Sequence, residues 1–281
     1  MVKIREKLIK YPLLGSIVLM GLFGLFLFGS TILSIILFGS SSFLMFTIMR
    51  FIIIFIALMI LFLIITPFGL HLPNGKESFD EWKETIGLSV YKPLKRNILL
   101  GLLLFAVTSL CGWIFIIIFG VYIFSPNAIF GSPQSGNLGF LIFITALRPG
   151  IWEEVMFRGI ILTLLAKKYS EKKSVIISSI LFGLMHLFNL LSGGNIIITV
   201  IQVIYATFFG IVFGYLFIKT KSLLPCIITH YLIDSLGQLF ASASVTNFFS
   251  YIMITIFGFG LIPMILNLIL IRYLVKSEDS I

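Results

Sequence analysis

The chain has 281 residues, of which 59% are hydrophobic and only 11% charged, and its mean hydropathy is +1.15. That balance excludes a water-soluble domain of this size and makes lipid the solvent for most of its surface. The net charge of +9 does not point to nucleic acid, because the basic residues are distributed by side of a membrane topology and form no continuous patch.

A helix that crosses a bilayer needs about 20 apolar residues. Stretches of that kind run, in chain order, over Leu13–Phe38, Phe43–Phe68, Ile98–Phe124, Leu138–Ala166, Ser174–Leu191, Ile196–Ile218, Leu223–Ala241 and Phe248–Arg272. The expected fold class is therefore all-α, a polytopic membrane helix bundle with about eight transmembrane helices. Lys3, Arg5, Lys7 and Lys10 precede the first span, and Lys76, Lys83, Lys92, Lys95 and Arg96 follow the second. Lys167, Lys168, Lys172 and Lys173 follow the fourth, Lys219 and Lys221 the sixth, and Arg272 and Lys276 close the eighth. Every Lys and Arg except Arg50, Arg148 and Arg158 thus falls on one face of an eight-span topology. The positive-inside rule makes that face, and both termini, cytoplasmic. The basic start followed by an apolar stretch is similar to a signal peptide, but the stretch is too long for one and reads as an uncleaved first helix.

Between the second and third spans, residues 69–97 mix Lys and Glu with Phe79, Trp82, Ile86 and Leu88. This predicts a short amphipathic helix on the cytoplasmic surface, or else a plain connection. The segment divides the chain into an N-terminal two-helix membrane portion, residues 1–97, and a six-helix core, residues 98–281, integrated as one domain. The uncharged segment Ser125–Asn137 carries Pro126, Gly131, Pro133 and Gly136 and reads as a turn-rich outer loop, either a connection or a lid. Cys111 and Cys226 lie within spans, where they are expected to pack as small apolar residues without a structural disulfide.

What remains at membrane depth is a short set of ionisable groups: Arg148, Glu153, Glu154, Arg158, His186, His230 and Asp234, with Arg50 near the outer interface. A charged side chain at a helix centre costs about 2.5 to 3.5 kcal/mol on insertion scales, so such residues face the bundle interior and mark a site. Counting from the cytoplasmic helix ends at about 1.5 Å per residue places the Glu, His and Asp residues at similar depth, so three helices can bring them to one layer. Glu154 and Arg158, Phe182 and His186, and His230 and Asp234 are each four apart and share a helix face. Glu154 and Arg158 then form an intrahelical ion pair that anchors the helix, while Glu153 turns toward a cavity. Asn189, one turn beyond His186, is either a supporting partner or a headgroup residue, and Arg148 either lines the outer half of the cavity or caps the bundle.

Hydrolysis needs an activated water and donors for a developing oxyanion. Glu153 and His186 can hold the water, with His230, oriented or assisted by Asp234, facing the oxyanion. A zinc site built from Glu153, His186 and His230 is the alternative; no cofactor is otherwise implied. Neither a G-x-S-x-G elbow nor a defensible serine triad is present.

The succession Glu153-Glu154-x-x-x-Arg158-Gly159, Phe182-x-x-x-His186 and His230-x-x-x-Asp234 resembles the three-motif signature of the CPBP family of intramembrane proteases. That family takes in type II CAAX prenyl endopeptidases and bacterial bacteriocin-processing or self-immunity proteins. The resemblance spans about Leu138 to Gln238. It implies peptide-bond hydrolysis of a membrane-associated peptide or protein, with Glu153 and His186 acting on water and His230 and Asp234 forming the oxyanion site. It leaves metal use open, and Asp234 stands where Asn is also found in the family. Two other functions stay open on the residues alone: a non-catalytic membrane scaffold or bacteriocin immunity factor, and a proton-coupled transporter. The composition fits a multi-pass protein of a bacterial plasma membrane, with the lipid bilayer and the peptide as its partners.

Overall fold

The structure, a computed structural model, describes residues 2–120, 126–134, 137–239 and 247–275. Among the described residues the regular secondary structure is helical, apart from one isolated bridge between Gln134 and Asn137. The helices are α1 (Val2–Lys10), α2 (Pro12–Phe38), α3 (Phe43–Leu70), α4 (Phe79–Thr85) and α5 (Leu94–Phe119). They continue with α6 (residues 142–166), α7 (Glu171–Ser192), α8 (Ile196–Thr220), α9 (Leu224–Leu236) and α10 (Phe248–Leu274).

Six of them, α2, α3, α5, α7, α8 and α10, are long and apolar enough to cross a membrane. The protein is thus a multi-pass membrane protein, but two of the eight predicted spans are not single long helices. α9 is 13 residues, so at helical rise it extends only about 20 Å. The predicted span over α6 is a succession of short segments: Ile142–Thr145, Pro149–Glu153, Val155–Leu162 and Thr163–Ala166. Pro149 interrupts that run because it has no N–H to donate to the preceding turn. The predicted ends at Phe124 and Ala241, Lys276, and part of the outer loop lie outside the described residues. The described part of that loop holds a single helical turn, Asn127–Phe130.

α6 is the centre of the bundle. From Glu154 to Leu162 every residue is buried. Trp152 stacks on Phe62 and packs against Phe55 of α3, Leu164 lies beside Gly15 of α2, and Phe157 meets Phe182 of α7 edge-on. The Ser178 hydroxyl of α7 donates to the Phe157 carbonyl at 2.9 Å.

α7 and α8 form an antiparallel hairpin whose backbones approach through small residues. A Cβ on Gly210 would meet Ser179 Cα at 2.8 Å, and one on Gly183 would meet the Val203 carbonyl oxygen at 2.6 Å. This is the small-residue packing that membrane helices use where hydrophobicity supplies no drive for association. Across the bundle, α5 runs antiparallel to α10 and carries a buried hydrogen bond from Asn267 Nδ2 to Thr108 Oγ1, 3.1 Å.

The expected amphipathic helix exists as α4, started by a Ser78–Glu81 capping box. It does not simply lie on the surface. Trp82 and Ile86 are buried, the Trp82 indole N–H donates to the Leu72 carbonyl at 2.7 Å, and Ile86 lies against Gly159 of α6. The turn after α4 is also tied to the start of α9, since Leu223 N–H donates to the Gly87 carbonyl at 3.0 Å. Gly87 has φ +73°, a left-handed conformation that suits glycine. Cys111 and Cys226 are both free and buried.

Candidate active site

The site is assembled on a helix whose winding departs from α geometry, as also happens in α3 and α10. Pro149–Glu153 and Val155–Leu162 are π-helical on either side of Glu154. In such turns hydrogen bonds run between residues five apart, so the facing of side chains differs from that of an α-helix. Gly150 allows α9 to lie directly against this segment, because a Cβ there would meet Tyr231 Cα at 3.1 Å. That contact brings His230 next to α6.

Glu154 is fully buried and serves two partners through one oxygen. Its Oε1 accepts from Arg158 Nη1 at 3.1 Å and contacts His230 Nδ1 at 2.6 Å. With Glu154 as a carboxylate, which only accepts, Nδ1 is the protonated ring nitrogen and Nε2 points away from the pair. The Arg158 guanidinium lies over Phe182 and Phe213, with its carbon 4.3 and 5.1 Å from the ring centroids. The buried ion pair is therefore capped by aromatic faces, which attract a desolvated cation. Phe182 also meets both histidines edge-on, at 5.3 Å from His186 and 6.0 Å from His230, and so spaces the two rings.

His186 stands where α7 tightens into a 3₁₀ turn, and its Nδ1 lies 3.0 Å from the Phe182 carbonyl oxygen. A carbonyl only accepts, so this contact places the proton on Nδ1 and leaves Nε2 as an acceptor. Asp234 follows His230 by one turn of α9, with Oδ2 3.6 Å from Nε2. That distance brings opposite charges together but is too long for a hydrogen bond. Glu153 has no hydrogen bond or ion pair among the described residues and is partly exposed.

Glu153, His186, His230 and Asp234 all line one cavity of about 290 Å³, closed by Phe182, Phe213 and Tyr205 and also lined by Arg148. The four residues expected to share a depth therefore meet. Glu154 and Arg158 form the expected pair, and Arg148 is a cavity residue. Asn189 lines the same cavity, but its amide donates to Gln202 Oε1 at 2.8 Å and is not bonded to His186.

The zinc alternative would draw on Glu153, His186 and His230. Among the described residues no three His, Cys, Asp or Glu side chains converge as metal ligands. His230 Nδ1 is engaged by Glu154 and His186 Nδ1 by a carbonyl, which leaves Nε2 as the remaining ring nitrogen of each. Sequence reasoning missed the Glu154–His230 bond, which joins residues 76 apart. It also missed the contribution of α8, for which Gln202, an amide inside an apolar helix, was the available signal. The third histidine, His71, lies elsewhere, at the end of α3, 2.8 Å from Arg5 Nη1.

Fold and site together define a multi-pass membrane protein with a carboxylate and histidine cluster enclosed between its helices. Residues 135–236, which carry all three motifs, match the family described as Type II CAAX prenyl endopeptidase Rce1-like, so this part of the chain is an Rce1-like domain of the CPBP type. No curated protein and no solved structure matches the chain.

Proposed function

We propose that the protein is an intramembrane endopeptidase that hydrolyses a peptide bond of a membrane-associated peptide or protein. The observation that carries this reading is that a carboxylate without a hydrogen bond or ion pair among the described residues, Glu153, shares a cavity with His186, His230 and Asp234. The Rce1-like match supports the same reaction class.

In this reading a water lies between Glu153 and His186 Nε2. Glu153 takes a proton as the water oxygen attacks the peptide carbonyl carbon, then returns it to the amine as the C–N bond breaks. His230, flanked by the Glu154 and Asp234 carboxylates, acts as an imidazolium. Its Nδ1–H stays on Glu154, and its Nε2–H meets the oxyanion in place of Asp234. Glu154 and Arg158 touch no reacting atom; they hold the ring. The basic loops support a cytoplasmic position for the α4 side, by the positive-inside rule.

The test uses purified protein in detergent with quenched peptides and parallel metal analysis. Glu153→Ala and His186→Ala are each expected to lower turnover by about 10² to 10⁴-fold, the range for a lost proton-transfer group. Equal cleavage by Glu153→Ala and the unmutated chain would overturn the proposal.

A further inference from the structure

Arg148 lines three cavities. Two, of about 290 and 90 Å³, are also lined by Glu153 and His186 and belong to the site just described. The third, of about 250 Å³, lies between the outer part of α3 and the start of α6 and is also lined by Arg50, Thr47, Phe51, Leu138 and Thr145. Its lining contains no carboxylate. Neither guanidinium forms a hydrogen bond or ion pair among the described residues, and the two are close enough to repel one another. Arg50 is exposed near the outer interface and Arg148 is partly buried, so two cations face one space whose lining supplies them no counter-charge, which leaves their paired N–H donors to an incoming anion. The nearest carboxylates, Glu153 and Asp234, form no ion pair with Arg148 and line the neighbouring cavities, not this one.

We propose that Arg50 and Arg148 form an anion subsite for the substrate: they receive the carboxylate of an acidic peptide side chain, while the scissile bond lies against Glu153. A peptide is favoured over a lipid headgroup because Arg148 also forms part of the wall of the cavity that holds Glu153, five residues further along α6. A chain seated at one cavity is thereby carried into the other. Planar guanidinium groups suit a carboxylate, which they can bind through paired N–H donors. This inference rests on the protease reading for its meaning, but the binding it predicts can be measured without turnover.

The experiment measures binding and cleavage separately. Fluorescein-labelled ten-residue peptides rich in Ile, Leu, Phe and Ser, each carrying glutamate or glutamine at one position, are titrated into Glu153→Ala protein in neutral detergent. Glutamate is expected to bind at least tenfold more tightly than glutamine at a preferred position. The ratio should fall to near one in Glu153→Ala/Arg50→Gln and largely persist in Glu153→Ala/Arg50→Lys, which keeps the charge and controls for folding.

Quenched versions of the same peptides, with Glu153 intact, are expected to show the preference in KM. A binding preference without cleavage of any peptide would sustain the anion subsite and count against the protease. Equal binding of glutamate and glutamine peptides at every position would overturn the subsite, as would a preference indifferent to Arg50→Gln. So would an Arg50-dependent response to phosphatidylglycerol over phosphatidylcholine with no response to peptide charge, which would assign the two arginines to a lipid headgroup.

Discussion

Changing Glu154 to Gln tests the buried network most directly. Glutamine keeps the size of the side chain and one acceptor oxygen but removes its charge. Arg158, 1% exposed, then holds a cation whose remaining neighbours are the faces of Phe182 and Phe213. Removing one partner of a buried ion pair costs about 3 to 5 kcal/mol, and the retained oxygen places the expectation near 3 kcal/mol. Arg158→Met removes the cation instead and leaves Glu154 with His230 at 2.6 Å, so it should cost less than Glu154→Gln. The double variant has no uncompensated charge and should be more stable than the sum of the singles by about 2 kcal/mol, within the range for residues in one network. Denaturant titration in mixed micelles, followed by tryptophan fluorescence, gives all four values. If Glu154→Gln unfolds within about 0.5 kcal/mol of the unmutated protein, the span of an ordinary surface change, or if the double equals the sum, the pair is not the buried anchor described.

Gly150→Ala should push Tyr231, and with it α9, away from α6; a displacement of about 1 Å at His230 predicts a loss near 10²-fold in kcat with most stability retained, measured by peptide turnover beside a melt. Trp82→Ala should destabilise the protein by about 3 to 5 kcal/mol, because it empties a core position and orphans the Leu72 carbonyl; unfolding titration checks it. The Ser78 N–H and hydroxyl, each 2.8 Å from Glu81 Oε2, hold the Glu81 carboxyl below its ordinary range. A depressed folded-state value means that the capping contribution is present above the unfolded value and is lost as pH falls through the folded one. Amide protection factors in α4, taken relative to the intrinsic exchange rate at each pH, should therefore fall on acidification in the unmutated chain but change less in Glu81→Gln.

The long apolar runs were legible because a membrane permits few alternatives: every backbone polar group must be satisfied within the segment, so such runs become helices. That logic recovered α2, α3, α5, α7, α8 and α10. The Glu154–Arg158 pair was legible from its four-residue spacing alone. The winding of α6 was not, because π turns depend on how the neighbours of Pro149 and Gly159 pack, which no periodicity encodes. The burial of Trp82 and Ile86 was hidden for a related reason. An amphipathic pattern shows that one face is covered, and the same pattern serves a lipid interface or a protein core. α9 was overestimated because the hydropathy of Leu223–Ala241 continues past Leu236, where the α-helix ends.

The two adjacent glutamates show why the site needs this particular helix. Glu153 and Glu154 differ by one position, yet Glu154 is sealed with Arg158 and His230, and Glu153 opens on the cavity. A buried carboxylate requires a cation, and Arg158 supplies it from the same helix, so forming the pair demands no distant chain closure. His230, from a helix 76 residues away, then joins a charge that already has its counter-ion. The bond to Nδ1 fixes the ring plane and directs Nε2 toward Asp234 and the cavity, while Phe182 and Phe213 prevent the ring from turning out. Packing alone would leave an imidazole free to rotate about its χ2 angle. The buried half of the cluster therefore defines the direction in which the open half can act.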